Sequence, residues 1–156
     1  MSTDRGDGPT DRIEKTVALR APRPRVWRAL TQADQFSAWF GIALEGTFAP
    51  GARLMGSLTS AGNERVTLEI VVERVEPEYL FSYRWHPYPM EPGVDYAAEP
   101  MTLVEFHLSD IADGTQLTVV ESGFDRLSPP RRVTAFRMNE QGWAKQLTHI
   151  AEYVTT

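Results

Sequence analysis

Two glutamates occupy positions where the surrounding pattern favours apolar side chains. Glu121 follows Leu117 and Val119 on one face of a predicted strand, and Glu140 fills a gap in the apolar stripe of a predicted helix. If both face a cavity, desolvation will raise their pKa values, and each could bind a polar ligand group or transfer a proton. Alternatively, Glu121 is solvated at its strand end, and Glu140 pairs with an arginine such as Arg137.

Other kinds of site chemistry find little support. His86, His107 and His149 are the three histidines, and no two of them share a helix at metal-ligand spacing. The absence of cysteine excludes thiolate metal sites, cysteine nucleophiles and disulfides. No serine lies in a strand–turn–helix elbow, and no glycine-rich phosphate loop follows a strand. We therefore predict no metal and no cofactor, and we assign no catalytic residue.

A long amphipathic helix is predicted over residues 128–154. Ser128 suits its N-cap and Pro129 its first turn. Gly142 weakens a helix, and we explain it by close backbone approach to Trp27 or to a second short helix. Asn139 lies off the apolar stripe. The stripe follows helical spacing and must be buried against another layer; it comprises Val133, Phe136, Trp143, Leu147, Ile150 and Val154.

The preceding residues alternate between strands and turns. A strand at 13–19 is followed by two short helices at 25–30 and 33–40, with Thr31 as the candidate cap of the second. Asp113-Gly114 is a strong hairpin signal. The order predicts an α+β fold in which the terminal helix packs into the concave face of a seven-stranded antiparallel sheet. The six further strands are predicted at 43–48, 53–59, 65–75, 79–86, 102–109 and 115–121.

Residues 87–100 form an unusually long connection with four prolines. Loops of this length inside compact domains are often functional or mobile. The segment is therefore interpreted either as a flap over a cavity mouth or as an extended surface excursion, and the sequence does not decide between the two.

Composition restricts the class of protein. The chain has 156 residues, 42% of them apolar, and a net charge of −5. These values predict a single folded domain over residues 12–156, after a polar tail at 1–11, and argue against a nucleic-acid partner. We find no apolar run of membrane-spanning length and no signal peptide, which fits a cytoplasmic location.

An ordered set of short motifs resembles the SRPBCC superfamily. Its opening is matched by Ala21-Pro22, Val26-Trp27-Arg28-Ala29-Leu30-Thr31 and Trp39-Phe40. The final hairpin of the branch related to the activator of the heat-shock protein 90 ATPase is matched by residues 102–106, Asp113-Gly114-Thr115, residues 117–119 and Gly123-Phe124. Gly142-Trp143 with Leu147 resembles the last helix of that branch. The similarity extends over about residues 13–154.

The resemblance implies a helix-grip fold, also called START-like or Bet v 1-like, with a cavity between sheet and helix. Members bind lipids, hormones and polyketides, and a few are cyclases, aromatases or hydrolases; many bacterial members have no assigned ligand. In such a fold, core aromatics also line the cavity, and the indole and phenol groups offer polar atoms to a ligand. The predicted ligand-binding residues are Trp39, Phe40, Phe81, Tyr83, Trp85, Phe106, Glu121, Phe136, Glu140, Trp143 and Leu147.

Three functions remain open at this point. The first is binding of a small apolar or aromatic molecule in the cavity. The second is an enzyme of the cyclase or hydrolase kind that uses Glu140 or Glu121 as acid or base. The third is a co-chaperone that binds a chaperone, as the name of the branch implies. Either a monomer or a homodimer fits the sequence.

Overall fold

The computed structural model describes residues 11–91 and 93–155, so residues 1–10 of the predicted tail lie outside the described residues. The order of elements within the described part is strand, two short helices, six strands and a long helix, as predicted. The elements are β1 (Arg12–Leu19), α1 (Arg23–Thr31), α2 (Ala33–Phe40), β2 (Ile42–Leu44), β3 (Arg53–Leu58), β4 (Thr67–Glu76), β5 (Leu80–Trp85), β6 (Thr102–Ile111), β7 (Gly114–Ser122) and α3 (Pro129–Val154). Short 3-10 turns lie at Tyr96–Ala98 and Phe124–Arg126.

The seven strands form one antiparallel sheet in the order β1-β7-β6-β5-β4-β3-β2. The first strand therefore pairs with the last, which places Ile13 opposite Glu121. The two-residue turn between β6 and β7 is Ala112-Asp113, one residue earlier than the predicted Asp113-Gly114, because Ile111 pairs with Gly114. A Cβ on Gly114 would lie 2.0 Å from the Leu19 carbonyl oxygen. Only glycine tolerates that approach. The predicted helix-grip architecture is confirmed.

Helix α3 lies across the sheet and buries Trp143 against it, with 3% of that residue exposed. The Trp143 ring stacks on Trp85 of β5 at a centroid distance of 5.7 Å and meets Phe106 of β6 edge-on at 5.7 Å. The predicted burial of Trp143 between helix and sheet is confirmed. Further along the helix, Leu147, Ile150 and Val154 are buried on the same side.

The predicted stripe is wrong at its first residue, Val133, which is 65% exposed, and Glu140 also faces solvent, whereas Phe136 is partly buried against Phe124. Arg131 and Ala135 are buried, and the Asn139 side chain points inward to Glu121. Residues three and four apart both share a helix face, so the sequence offered two rows before Trp143. The correct row contains an arginine and an asparagine, and its polar members find partners inside the fold.

Smaller differences concern element ends. Strand β2 stops at Leu44, before Gly46, whose φ of 120° the chain uses to turn. Ser128 takes the predicted N-cap position, but its side chain makes no capping hydrogen bond. Thr31 does not cap α2, because its hydroxyl donates to the Trp27 carbonyl within α1. Among the described helices, none has the length and apolar character needed to cross a membrane.

Candidate ligand-binding cavity

A cavity of about 780 Å³ opens between α3, α2 and the sheet. Its lining includes the buried side chains of Trp39, Leu68, Trp85 and Trp143, which form the inner wall. The volume is in the range of cavities that enclose drug-sized molecules. The exposed lining residues mark the mouth; they include Thr59, Ser60, Met90, His149 and Glu152.

Behind the inner wall lies Glu121, whose side chain is fully buried. Its carboxylate accepts hydrogen bonds from the indole N–H groups of Trp85 and Trp143, each at 2.8 Å, and from the Thr102 hydroxyl at 2.6 Å. The Asn139 amide donates to both oxygens, at 3.0 and 3.2 Å. Four side chains from β5, β6 and α3 thus converge on one carboxylate of β7.

The topology explains this convergence. Antiparallel pairing brings the end of β5, the start of β6 and the end of β7 together at one end of the sheet, since Trp85 pairs with Thr102 and Glu121 pairs with Val104. The row on α3 that contains Asn139 and Trp143 lies over this end of the three strands. The helix and the sheet therefore close around Glu121 from opposite sides.

Burial raises the pKa of Glu121, and the hydrogen bonds from Thr102, Trp85, Trp143 and Asn139 act in the opposite direction without cancelling the effect of burial. Indole and amide N–H groups only donate, so both carboxyl oxygens are needed as acceptors. The acceptors of Glu121 are occupied and its side chain lies outside the cavity lining. Its role is therefore to hold the indole rings of Trp85 and Trp143 in the inner wall. Trp85 and Trp143 accordingly present ring surface to the cavity, while their N–H groups point away from it.

The outer wall comes from the long connection, since Tyr88, Pro89 and Met90 line the cavity. One side chain of α3 ties this segment down. The Arg131 guanidinium donates to the carbonyl oxygen of Pro87 at 2.6 Å, to the Glu91 carboxylate at 2.6 Å and to both oxygens of Glu99, at 2.7 and 2.8 Å. Hydrogen bonding to Glu99 is the main reason why the pKa of Arg131 is raised.

Replacing Arg131 with methionine should therefore loosen residues 87–100 without unfolding the sheet. We expect a loss of about 1–3 kcal/mol in the free energy of unfolding, because one buried and two partly buried acceptor groups lose their donor. Amide hydrogen exchange should accelerate mainly at residues 87–91 and 93–100. Arg137→Met, at an exposed position of the same helix, is the control. Uniform acceleration across the sheet would contradict the anchoring role.

The structure distributes the eleven predicted ligand-binding residues over three environments. Trp39, Phe40, Trp85 and Trp143 line the cavity. Glu140 is exposed on the far side of α3, so the prediction that it faces the cavity and binds a polar ligand group is wrong. The remaining six lie outside the lining, five of them fully or largely buried and Phe136 partly buried against Phe124: Phe81, Tyr83, Phe106, Glu121, Phe136 and Leu147.

Two other titratable groups near the cavity have shifted pKa values. Burial raises the pKa of Tyr83 well above its ordinary value, and the nearby Glu121 raises it further. Burial lowers the pKa of His86, which lines the cavity, so its imidazole is neutral at neutral pH. Within residues 11–91 and 93–155, no cluster of histidine and acidic residues could hold a metal ion.

Sequence reasoning missed a second face of α3 that borders the cavity. Met138, Gly142, Gln146, His149 and Tyr153 all belong to the lining. Their spacing of four, four, three and four is itself helical, so the signal was present beside the apolar stripe. Mixed polarity concealed it.

Gly142 lies in this cavity-facing row, and the prediction of close backbone approach is wrong there. A Cβ placed on Gly142 meets no atom within 4 Å. We therefore expect Gly142→Ala to raise the free energy of unfolding by about 1 kcal/mol, through helix propensity alone. Urea denaturation measures the change; a loss of stability would show that the glycine has a packing role.

Comparison with known proteins gives the same fold. A protein from Mesorhizobium loti, MLL2253, aligns with a TM-score of 0.73 at 23% identity, covering 92% of this chain and 96% of that one. CalU16 from Micromonospora echinospora aligns at 0.60 and 24% identity, covering 92% and 74%. DynU16, a protein of the dynemicin biosynthetic locus, aligns at 0.72 and 28% identity, covering 95% of this chain and 48% of that one. The search of curated proteins found no match.

The family comparison covers most of the chain. Residues 20–155 match the model of the family described as Activator of Hsp90 ATPase homolog 1-like protein. The matched range runs from the turn before α1 to the residue after α3 and so includes every element that lines the cavity. The chain therefore belongs to this family, within the SRPBCC superfamily.

Proposed function

We propose that this protein binds a small, largely apolar molecule that contains an aromatic ring, in the cavity between α3 and the sheet. The observation that carries the proposal is the inner wall, where Trp39, Trp85 and Trp143 are buried yet border about 780 Å³ of space. Ring faces favour flat apolar groups. The described lining contains no lysine or arginine and one carboxylate, Glu152, at the mouth. The described lining therefore lacks the permanently charged lysine or arginine that would pair with an anionic ligand.

An enzymatic role for the two glutamates has weaker support. The acceptors of Glu121 are already occupied by Trp85, Trp143, Thr102 and Asn139, and the carboxylate lies behind the wall. Glu140 is exposed. For the co-chaperone function, we find no surface feature among the described residues that favours a chaperone partner.

The test is native mass spectrometry of freshly purified protein, followed by titration with the neutral probe N-phenyl-1-naphthylamine. We expect either a co-purified mass or saturable probe fluorescence at one site, with energy transfer from the wall tryptophans. Prior incubation with any extracted ligand should abolish the probe signal. A protein that carries no additional mass and binds no probe would refute the proposal.

A further inference from the structure

Gly142 is unexplained by the two usual reasons for a glycine inside a helix. Its backbone is helical and its φ is not positive, so the residue does not have to be glycine for conformational reasons. A Cβ at this position would meet nothing within 4 Å, so no neighbouring atom of the described chain excludes a side chain. Glycine nevertheless weakens the helix relative to alanine.

The space beside Gly142 belongs to the cavity. One turn away on either side, Met138 and Gln146 line the same cavity with long side chains. The cavity therefore reaches the backbone of α3 at Gly142, whereas the side chains of Met138 and Gln146 cover the backbone one turn before and one turn after it. Trp143, the next residue, supplies part of the inner wall.

The distance between α3 and α2 is fixed close to this point. The Gln146 side chain donates to the Phe40 carbonyl oxygen at 2.9 Å, and the Phe40 and Trp143 rings lie 6.2 Å apart. Helix α3 cannot move away from α2 without breaking this hydrogen bond. A side chain added at residue 142 would consequently take its volume from the cavity.

We infer that Gly142 is a specificity-determining residue, which leaves room for a ring of the ligand to lie against the backbone of α3. The inference rests on the proposed function and adds a size limit to it. A ligand that extends to Gly142 is excluded when this position carries a side chain, whereas a smaller ligand confined to the rest of the cavity is still bound.

The test compares Gly142→Ala and Gly142→Leu with wild type, using N-phenyl-1-naphthylamine as the large probe and indole as the small one. Gly142→Leu should weaken binding of the large probe by at least about tenfold, a change that affinity measurements resolve easily. Indole affinity should change less than about threefold, and Gly142→Ala should be intermediate for the large probe. Both variants should have unchanged or higher melting temperatures, which separates a blocked cavity from a damaged fold.

Ala144→Leu is the matched control, because residue 144 is exposed on the same helix. It adds a similar side chain outside the cavity and should leave both affinities unchanged. Wild-type affinity for the large probe in Gly142→Leu would overturn the inference while leaving the proposed function intact. A lower melting temperature for Gly142→Ala would also overturn it. If wild type bound neither probe and carried no ligand mass, the proposed function would fail, and the inference with it.

Discussion

Replacing Glu121 with leucine is expected to lower the free energy of unfolding by roughly 3–5 kcal/mol, because several buried donors lose their acceptor at once. The indole N–H groups of Trp85 and Trp143 and the Thr102 hydroxyl all donate to this carboxylate in a buried setting. Each unsatisfied buried group costs about 1–3 kcal/mol, and the apolar replacement would offset part of the total because no carboxylate is then buried.

Urea denaturation followed by far-UV circular dichroism measures this loss. Glu14→Leu is the control, since Glu14 lies on β1 and its side chain is exposed. Such a surface substitution should change the free energy of unfolding by no more than about 0.5 kcal/mol. A Glu121 variant as stable as the control would mean that the four donors have other acceptors and that the network does not hold the wall.

The same pair of proteins gives a pH prediction. Burial raises the pKa of Glu121 above its ordinary value of 4.5. Between the unfolded and folded pKa values, the native state binds more protons than the unfolded state, so the stability of wild type falls as pH rises. The leucine variant lacks this titration. The stability difference between the two proteins should therefore be larger at about pH 4 than at about pH 8; a difference that grows with pH would contradict the shift.

Trp143→Ala is expected to cost roughly 3–5 kcal/mol, the usual range for truncating a buried tryptophan. The indole packs against Trp85, Phe106 and Phe40 and donates to Glu121. Trp143→Phe separates the two contributions, because it keeps most of the ring packing and removes the donor. We expect that variant to lose about 1–2 kcal/mol, in line with one hydrogen bond and a smaller ring.

A double-mutant cycle tests whether Trp143 and Glu121 act together. If they do, Trp143→Phe combined with Glu121→Leu should cost less than the sum of the single changes, because the leucine variant has already lost the indole bond. Additive losses would show that the 2.8 Å hydrogen bond contributes little to stability.

The alternation of apolar residues was sufficient to predict the sheet, and it also placed Glu121 on the inward face beside Leu117 and Val119. What it could not supply was the reason for a carboxylate there. The partners of Glu121 lie 18 to 36 residues away in sequence, on β5, β6 and α3. A local pattern contains no information about donors that only the folded topology brings together.

For helix α3, the sequence predicted the ends of the helix but not which of its faces is buried before Trp143. Its bounds were predictable from Pro129 and the apolar residues near its end, but its rotation before Trp143 was not. Asn139 and Arg131 face inward because Glu121, Glu91 and Glu99 accept their hydrogen bonds. A sequence pattern that counts polar residues as outward-facing therefore selects the row with Val133 and not the row with Arg131, Ala135 and Asn139.

The orientation of the wall donors has a thermodynamic consequence. Trp85, Trp143 and Asn139 have acceptors without any ligand, since all three donate to Glu121. Binding of a ligand need not break these hydrogen bonds, and dissociation of the ligand leaves none of the three donors unpaired. Folding and ligand binding are therefore separable, because these three donors do not need a ligand to be satisfied. A ligand that binds only the folded protein stabilises it with the logarithm of one plus the ratio of its free concentration to its Kd.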